Sequence, residues 1–95
     1  MDYKIINDNT HEQFYIQLNE KEAYLKYKMK DEKTIELIDT FVPEEHRGIP
    51  YAKELVRYAL NFARENKLKV IPTCPYVNKF ITKTRDDYRD LLIEE

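Results

Sequence analysis

The stretch Val42-Pro43-Glu44-Glu45-His46-Arg47-Gly48-Ile49-Pro50-Tyr51-Ala52 separates two parts of the chain that have different hydrophobic periods. Before it, apolar and polar residues alternate, which is typical of strands. After it, apolar residues recur at three- and four-residue spacing, which is typical of an amphipathic helix. The stretch therefore predicts a strand, a tight basic turn and a helix start in immediate succession.

Gly48 is the only glycine among the 95 residues. A chain so poor in glycine does not use it as linker material, and we expect Gly48 to form a tight turn with a positive φ angle. The first amides of a helix have no partner within the helix, and the helix dipole adds partial positive charge at the same end. Together with Arg47, the turn predicts an anion-binding site.

Upstream of this turn, the sequence predicts an antiparallel meander of strands joined by short polar turns. Lys4 to Ile6 predicts a short edge strand. Gln13 to Leu18 and Ala23 to Met29 each alternate between apolar and polar residues. Ile35 to Val42 is the most apolar segment, and we expect it to be the central strand.

Downstream of the turn, the apolar residues from Tyr51 to Glu65 follow the i, i+3, i+4, i+7 pattern of a helix. We expect Asn66 to end this helix in a left-handed conformation. Leu68 to Pro72 predicts a short strand. Since a strand, a crossover helix and a second strand form a right-handed parallel unit, this strand is expected to lie parallel to Ile35 to Val42.

The C-terminal segment predicts short helices. Pro75 suits the first turn of a helix whose apolar stripe is formed by Val77, Phe80 and Ile81. Thr84, Asp86 or Asp87 is expected to cap a last short helix. The predicted fold class is therefore α/β (α+β): a mixed sheet with an antiparallel N-terminal meander, a β-α-β crossover and short C-terminal helices, in one domain spanning residues 1–95.

Composition excludes several classes of protein. The net charge of −2 argues against nucleic-acid binding by bulk electrostatics. No apolar run approaches the roughly 20 residues needed to span a bilayer. The single cysteine, Cys74, excludes an intramolecular disulfide, and together with the lack of a signal peptide it predicts a cytoplasmic protein. His11 has no partner cysteine, and we expect no metal site.

The segment from Ile38 to about Phe80 resembles the acetyl-CoA-binding core of the GNAT acetyltransferase superfamily. In that superfamily a strand leads into Arg/Gln-x-x-Gly-x-Gly/Ala, and the aligned residues here are Arg47-Gly48-Ile49-Pro50-Tyr51-Ala52. The chain more closely resembles the short single-domain GNAT-like proteins. The shared motifs are Val42-Pro43, Ala59-Leu60-x-x-Ala63 and Cys74-Pro75-Tyr76-Val77.

The resemblance implies a set of functional residues. The pyrophosphate of acetyl-CoA is expected over the amides of Gly48, Tyr51 and Ala52, with Arg47 nearby. The pantetheine is expected between the parallel strands, where residues 39–41 and 71–73 separate. The cofactor-binding residues implied are Phe41, Val42, Arg47, Gly48, Ile49, Tyr51, Ala52, Cys74 and Asn78, and the catalytic residues are Cys74 and Tyr76.

Two positions depart from the pattern of the family. Pro50 stands where the second glycine usually lies, and proline has no amide hydrogen to donate to a phosphate. It is nevertheless compatible with the first position of a helix. Asp39 stands where the small family commonly has histidine, and a carboxylate there repels phosphate if it points inward or acts as a base if it is buried with a raised pKa.

Cys74 and Tyr76 each have a chemical and a structural interpretation. Pro75 predicts that Cys74 caps a helix, where a thiol is activated, and we expect a partly exposed thiol at the acetyl end of the cofactor channel. A small buried core residue is the alternative. Tyr76 could protonate the departing CoA thiolate, as a tyrosine does in many GNAT enzymes. A packed aromatic side chain is the alternative for Tyr76.

Three classes of function are compatible with these observations. The first is a minimal acetyl-CoA-dependent N-acetyltransferase whose acceptor is an amine, such as a protein lysine, a polyamine or a small amine. The second is a non-catalytic CoA-binding or degenerate relative, which Pro50 and Asp39 favour. The third is a protein-interaction module that uses an exposed sheet edge or helix face. Neither nucleic acid nor a membrane is expected as a partner.

Overall fold

In the described part of the chain, five strands form one mixed sheet in the order β1-β2-β3-β4-β5. In this computed structural model, which describes residues 3–92, β1 to β4 are antiparallel neighbours and β5 lies parallel to β4. The strands span Ile5–Asp8 (β1), Gln13–Leu18 (β2), Lys21–Asp31 (β3), Thr34–Phe41 (β4) and Lys69–Pro72 (β5). The predicted meander, edge strand and parallel crossover are confirmed, but the middle strand is β3, and β4 lies next to it.

Among residues 3–92, the second part of the chain contains three α-helices, one before β5 and two after it: Tyr51–Glu65 (α1), Pro75–Lys83 (α2) and Arg85–Tyr88 (α3). Short 3₁₀ turns occupy Glu44–His46 and Arg89–Leu91. The predicted bounds of α1 are confirmed. Pro75 is the first residue of α2, with Cys74 at its N-cap, as the sequence predicts.

The end of α1 differs from the expectation in one detail. Asn66 follows the helix with φ −100°, and the left-handed residue is Lys67, with φ 56°. The Asn66 side chain instead donates from Nδ2 to the Phe62 carbonyl, at 2.8 Å. Because this bond satisfies a carbonyl of the last turn, Asn66 still ends the helix, but the reversal of the chain falls one residue later.

The hydrophobic core lies between one face of the sheet and the helices. On β2 and β3 the alternate residues Phe14, Ile16, Ala23 and Leu25 are fully buried, and so are Ile35 and Leu37 of β4. The stripe of α1 packs on them through Leu55, Val56, Ala59, Leu60 and Ala63. The alternate side chains that point to the opposite face of the sheet are exposed or partly exposed, so one face of the sheet is covered and the other is accessible.

A β-bulge in β4 marks the place where β4 and β5 separate. Tyr27 of β3 pairs with Leu37 and Lys26 pairs with Asp39, so Ile38 has no partner in β3. The pairing of β4 with β5 ends at Leu37. The amide of Cys74 then donates to the Leu37 carbonyl at 2.9 Å, and the chain turns into α2. Beyond Ile38, the edge of β4 is therefore no longer paired with β5.

Among residues 3–92, no helix is both long enough and apolar enough to cross a membrane. Within the same residues, no group of three or more histidine, cysteine, aspartate or glutamate side chains lies together as metal ligands would.

Candidate functional site

A cavity of about 390 Å³ opens beside the unpaired edge of β4. Its lining comes from the end of β4, from the loop that follows, from the first turn of α1 and from α2: Thr40, Phe41, Val42, Arg47, Ile49, Pro50, Ala52 and Tyr76. Six of the predicted site residues therefore meet in one place. Thr40 and Pro50 also line the cavity but were not among the predicted site residues. Thr40 does lie within residues 39–41, where the resemblance implied the pantetheine.

The Arg47 side chain stabilises the loop between β4 and α1. Its Nε donates to the Val42 carbonyl at 2.9 Å, and backbone bonds from Arg47 to Glu44 and from Ile49 to His46 close the 3₁₀ turn between them. Val42 and Pro43 are buried, so the loop is anchored at its beginning. Because the Val42 bond uses only Nε, the two terminal nitrogens of the guanidinium are left to contact an anion in the cavity.

Pro50 forms a tight turn immediately before α1. It has φ −77° and ψ 53°, the geometry of an inverse γ-turn, and the Tyr51 amide accordingly donates to the Ile49 carbonyl at 2.7 Å. Proline thus occupies the N-cap of α1 rather than its first helical position. The Tyr51 amide is already used, which corrects the expectation that it faces the ligand. The Tyr51 ring is buried and packs edge-on against Tyr3 at 5.4 Å between centroids.

The prediction of a positive φ angle at Gly48 is wrong, because the φ angle of this residue is not positive. A Cβ atom at this position would also meet no heavy atom within 4 Å. The fold therefore does not itself require glycine at position 48. The lack of a side chain leaves open space above the loop backbone, next to Arg47 and the start of α1.

Three backbone amides at the junction of the loop and α1 have no acceptor within the part of the chain that the structure describes. Among the described residues, the amides of Gly48, Ala52 and Lys53 have no hydrogen-bond acceptor, while the Glu54 amide begins the helical pattern by donating to the Pro50 carbonyl at 3.1 Å. Unpaired amides at a helix start, with the dipole behind them, favour a bound anion. Two of the three predicted amide donors, Gly48 and Ala52, are thus available, and the Lys53 amide is available in addition.

Cys74 is buried rather than partly exposed, with only 3% of its surface accessible. Its Sγ lies 3.4 Å from the Oγ1 of Thr40, which lines the cavity. The predicted N-cap position is confirmed, but the thiol lies beneath the cavity wall and not at its mouth. A reagent or substrate in the cavity would therefore meet Thr40 before it meets the thiol.

Tyr76 is the ionisable side chain of α2 that faces the cavity. Its side chain is 42% exposed, and partial burial raises the pKa of its hydroxyl above the ordinary value. A tyrosine hydroxyl is protonated at neutral pH even at its ordinary pKa, and the raised pKa acts in the same direction, so Tyr76 can donate a proton or a hydrogen bond to a group in the cavity.

Asn78 is not brought to this cavity. Its Nδ2 donates to the Pro72 carbonyl at 3.4 Å, and its side chain lines a separate cavity of about 370 Å³ beside β5. Asp39 is exposed and lies opposite Lys26 of β3 on the accessible face of the sheet. This exposure removes the condition under which Asp39 would act as a buried base.

The comparisons with known proteins agree with this geometry. The family model described as GCN5-related N-acetyl-transferase matches residues 13–91. The chain is 39% identical over 80 residues to Protein NATD1 of Danio rerio, covering 82% of this chain and 73% of that protein. It is 34% identical over 80 residues to Protein NATD1 of Homo sapiens, covering 82% of this chain and 71% of that protein.

A solved structure resembles the whole fold. The NMR solution structure of a GCN5-like protein from Staphylococcus aureus superposes with a TM-score of 0.71 at 29% sequence identity, covering 97% of this chain and 89% of that one. The matched family segment runs from β2 to the end of the described C-terminal region, and so includes the bulge in β4, the loop and both cavity-lining helices. The chain belongs to the GCN5-related N-acetyltransferase family.

Proposed function

We propose that this protein is a minimal acetyl-CoA-dependent N-acetyltransferase, with residues 1–95 forming one acetyl-CoA-binding domain in the cytoplasm. The observation that carries this proposal is the cavity at the unpaired edge of β4, which ends at a loop and helix start with three unpaired amides. Membership of the family supports the reaction class. The cavity supplies a place for a thioester, and the amides supply a place for phosphate.

The diphosphate of the cofactor is proposed to lie over the amides of Gly48, Ala52 and Lys53. The terminal nitrogens of Arg47 add a charge-assisted contact from the side of the loop. Pro50 contributes no amide, and its γ-turn also occupies the amide of Tyr51. Compared with a loop that has glycine at position 50, the proposed amide donors lie further along the chain, and their number is not simply reduced.

The pantetheine is proposed to follow the edge of β4 from Ile38 to Phe41. This edge has lost its partner β5, so its backbone groups can bond the amides of the ligand as a further strand would. The thioester would then lie near the bulge, where a strand amide can polarise its carbonyl. The edge is open at this place because β5 ends at Pro72, opposite Leu37, one residue before the bulge in β4.

The reaction is a direct transfer. The neutral nitrogen of an amine attacks the thioester carbonyl, a C–N bond forms, the C–S bond breaks, and the CoA thiolate takes a proton while the new amide loses one. Tyr76 is the group best placed to give that proton, since it lines the cavity and stays protonated at neutral pH. The burial of Cys74 makes a covalent acyl-cysteine route less favourable, because the acyl group would have to pass Thr40.

The amine acceptor is proposed to arrive from the face of the sheet that the helices leave uncovered. The connections between the first strands are short turns, and only the 3₁₀ turn at Glu44–His46 reaches this face near Phe41 among the described residues, through the pair of Lys21 with Glu45 at 2.6 Å. Phe41 stacks on Tyr24 at 5.4 Å between ring centroids and is 41% exposed. An open approach suits a protein lysine, a polyamine or a small amine alike. A panel of these amines, assayed with acetyl-CoA, is the direct test of the acceptor class.

Replacing Arg47 with alanine is expected to weaken acetyl-CoA binding by about 1–3 kcal/mol, because a charge-assisted contact to the diphosphate is lost. The measurement is calorimetric titration of the purified protein with acetyl-CoA. Arg57→Ala is the matched control, since Arg57 lies on α1 away from the cavity and pairs with Glu54 at 3.7 Å. Arg47→Lys keeps the charge and removes the Nε bond to Val42, and so separates phosphate contact from loop anchoring.

If neither the wild type nor the control binds acetyl-CoA at millimolar concentration, the acetyltransferase proposal fails. If the wild type binds and Arg47→Ala binds equally well, the diphosphate lies elsewhere. If binding is normal but no amine in the panel is acetylated, the second class of function, a CoA-binding protein without turnover, replaces the first.

Replacing Gly48 with alanine is expected to separate stability from binding. Since Gly48 has no positive φ angle and a Cβ there meets open space, the variant should be more stable by about 0.4–1 kcal/mol, through a loss of entropy in the unfolded chain. The same Cβ would occupy the space proposed for the diphosphate and should weaken acetyl-CoA binding. Urea denaturation measures the first effect and calorimetry the second. A variant that gains stability and keeps full affinity would place the diphosphate away from Gly48.

A further inference from the structure

A second cavity, of about 300 Å³, lies between α1 and α2 and adjoins the first. Its α2 wall is formed by residues at i, i+3, i+4 and i+7, which lie on one face of a helix. Lys53 in the first turn of α1 forms the facing wall. We call this the lysine cleft, and its lining residues are Lys53, Tyr76, Lys79, Phe80, Lys83 and Thr84.

The lysine cleft concentrates positive charge in a chain whose net charge is −2. Its lining has three lysines and no carboxylate. Among residues 3–92, none of the three ammonium groups lies in an ion pair, whereas Lys21 and Lys30 are each paired with a glutamate. Like charges gathered around one concave surface repel each other unless an anion is bound, so this arrangement favours an anionic ligand group.

The cleft is continuous with the proposed cofactor site. Tyr76 lines both cavities, and Lys53 supplies an unpaired amide to the first site and a side chain to the second. Coenzyme A carries, beyond its diphosphate, an adenosine with a second phosphate on the 3′ oxygen of the ribose. An adenosine that leaves the diphosphate on the side of Lys53 would bring that phosphate into the cleft.

From this placement we propose that the lysine cleft binds the 3′-phosphate of coenzyme A, so that the protein distinguishes CoA from 3′-dephospho-CoA. The inference rests on the proposed function, because it assumes the diphosphate at the start of α1. It adds specificity residues, Lys53, Lys79 and Lys83, that lie outside the loop. The half-buried ring of Phe80 provides an apolar surface beside these charges.

The test is calorimetric titration of the wild type with CoA and with 3′-dephospho-CoA at low salt. The wild type is expected to bind CoA about tenfold more tightly, the factor that corresponds to roughly 1.4 kcal/mol. The difference should shrink as salt is added, because exposed charges are screened.

The double variant Lys79→Gln/Lys83→Gln should lose most of this discrimination by weakening CoA alone, and each single substitution should weaken CoA about two- to fivefold. Glutamine has a helix propensity close to that of lysine. Lys33→Gln is the matched control, since Lys33 is exposed in the turn between β3 and β4, at the opposite end of β4 from the loop.

The outcomes separate this proposal from the one on which it rests. If the wild type binds CoA and dephospho-CoA equally, the lysine cleft does not take the 3′-phosphate, and the acetyl-CoA site stands. If the wild type binds the two ligands with different affinities but the lysine variants keep the full difference, another part of the protein binds the 3′-phosphate. The lysine cleft is then again ruled out as its binding site. If neither ligand binds, both proposals fail.

Discussion

Replacing Phe14 with alanine is expected to lower the free energy of unfolding by about 3–5 kcal/mol, which is a large part of the stability of a small domain. Phe14 is fully buried, and its ring packs against Tyr27 at 4.7 Å, Phe62 at 5.4 Å and Tyr58 at 5.5 Å between centroids. It therefore joins β2 to β3 and the sheet to α1. The loss would appear as a lower midpoint in urea denaturation followed by circular dichroism.

The matched control is Tyr15→Ala, which removes the neighbouring aromatic side chain from the accessible face of the same strand. Tyr15 pairs across the strands with Tyr24 and Ile6, and the loss of such a cross-strand contact costs only about 1 kcal/mol or less. If Phe14→Ala does not fold, Phe14→Leu, which keeps much of the apolar volume, supplies the graded measurement. Equal costs for the two positions would contradict a core that lies on one face of the sheet.

The sequence predicted well those elements whose signals are local. The bounds of α1 follow from a period of 3.6 that begins after Pro50 and from the polar residues after Glu65. The start of α2 follows from Pro75, since proline is tolerated in the first turn of a helix. The parallel pairing of β5 with β4 followed from the crossover rule, and the anion loop followed from Arg47 and the helix start. The family resemblance then added the identity of the anion, as part of acetyl-CoA.

The features that the sequence could not predict depend on contacts between distant segments. The bulge at Ile38 is set by the register of β3 against β4, and no single residue signals it. The burial of Cys74 depends on its contact with Thr40, 34 positions earlier in the chain. Gly48 lies between the 3₁₀ turn and the γ-turn at Pro50. Together these turns connect β4 to α1 without a left-handed residue at Gly48.

The candidate site also combines features with local sequence signals and features that depend on the folded conformation. Arg47 and Ala52 could be assigned from the motif alone, and they line the cavity. The bond from the Tyr51 amide to the Ile49 carbonyl could not be predicted, because it follows from the γ-turn that Pro50 adopts. The lysine cleft has a local sequence signal as well, since Lys79 and Lys83 lie at i, i+4 on the same face of α2 as Tyr76.

Replacing Tyr76 with phenylalanine is expected to lower the turnover number for acetyl transfer roughly 100-fold or more, the usual contribution of a positioned general acid. The change removes only the hydroxyl, so the ring still separates the two cavities and acetyl-CoA affinity should hardly change. The measurement is steady-state release of CoA with an amine that the wild type acetylates. Because partial burial raises the pKa of Tyr76, the wild type should keep its acid above pH 10, the ordinary range for tyrosine.

Cys74→Ala is the companion variant, because it tests the other candidate for the chemistry. The thiol is buried beneath Thr40, so its removal should cost stability, as the loss of a small buried side chain does, while turnover of the folded protein stays near that of the wild type. The pH profile separates the two roles, since an acid at Tyr76 produces a fall in turnover at high pH that the phenylalanine variant lacks. Full activity in Tyr76→Phe together with a large loss in Cys74→Ala would reverse the assignment. It would then require the end of β4 at Thr40 to move so that the thiol could reach the thioester.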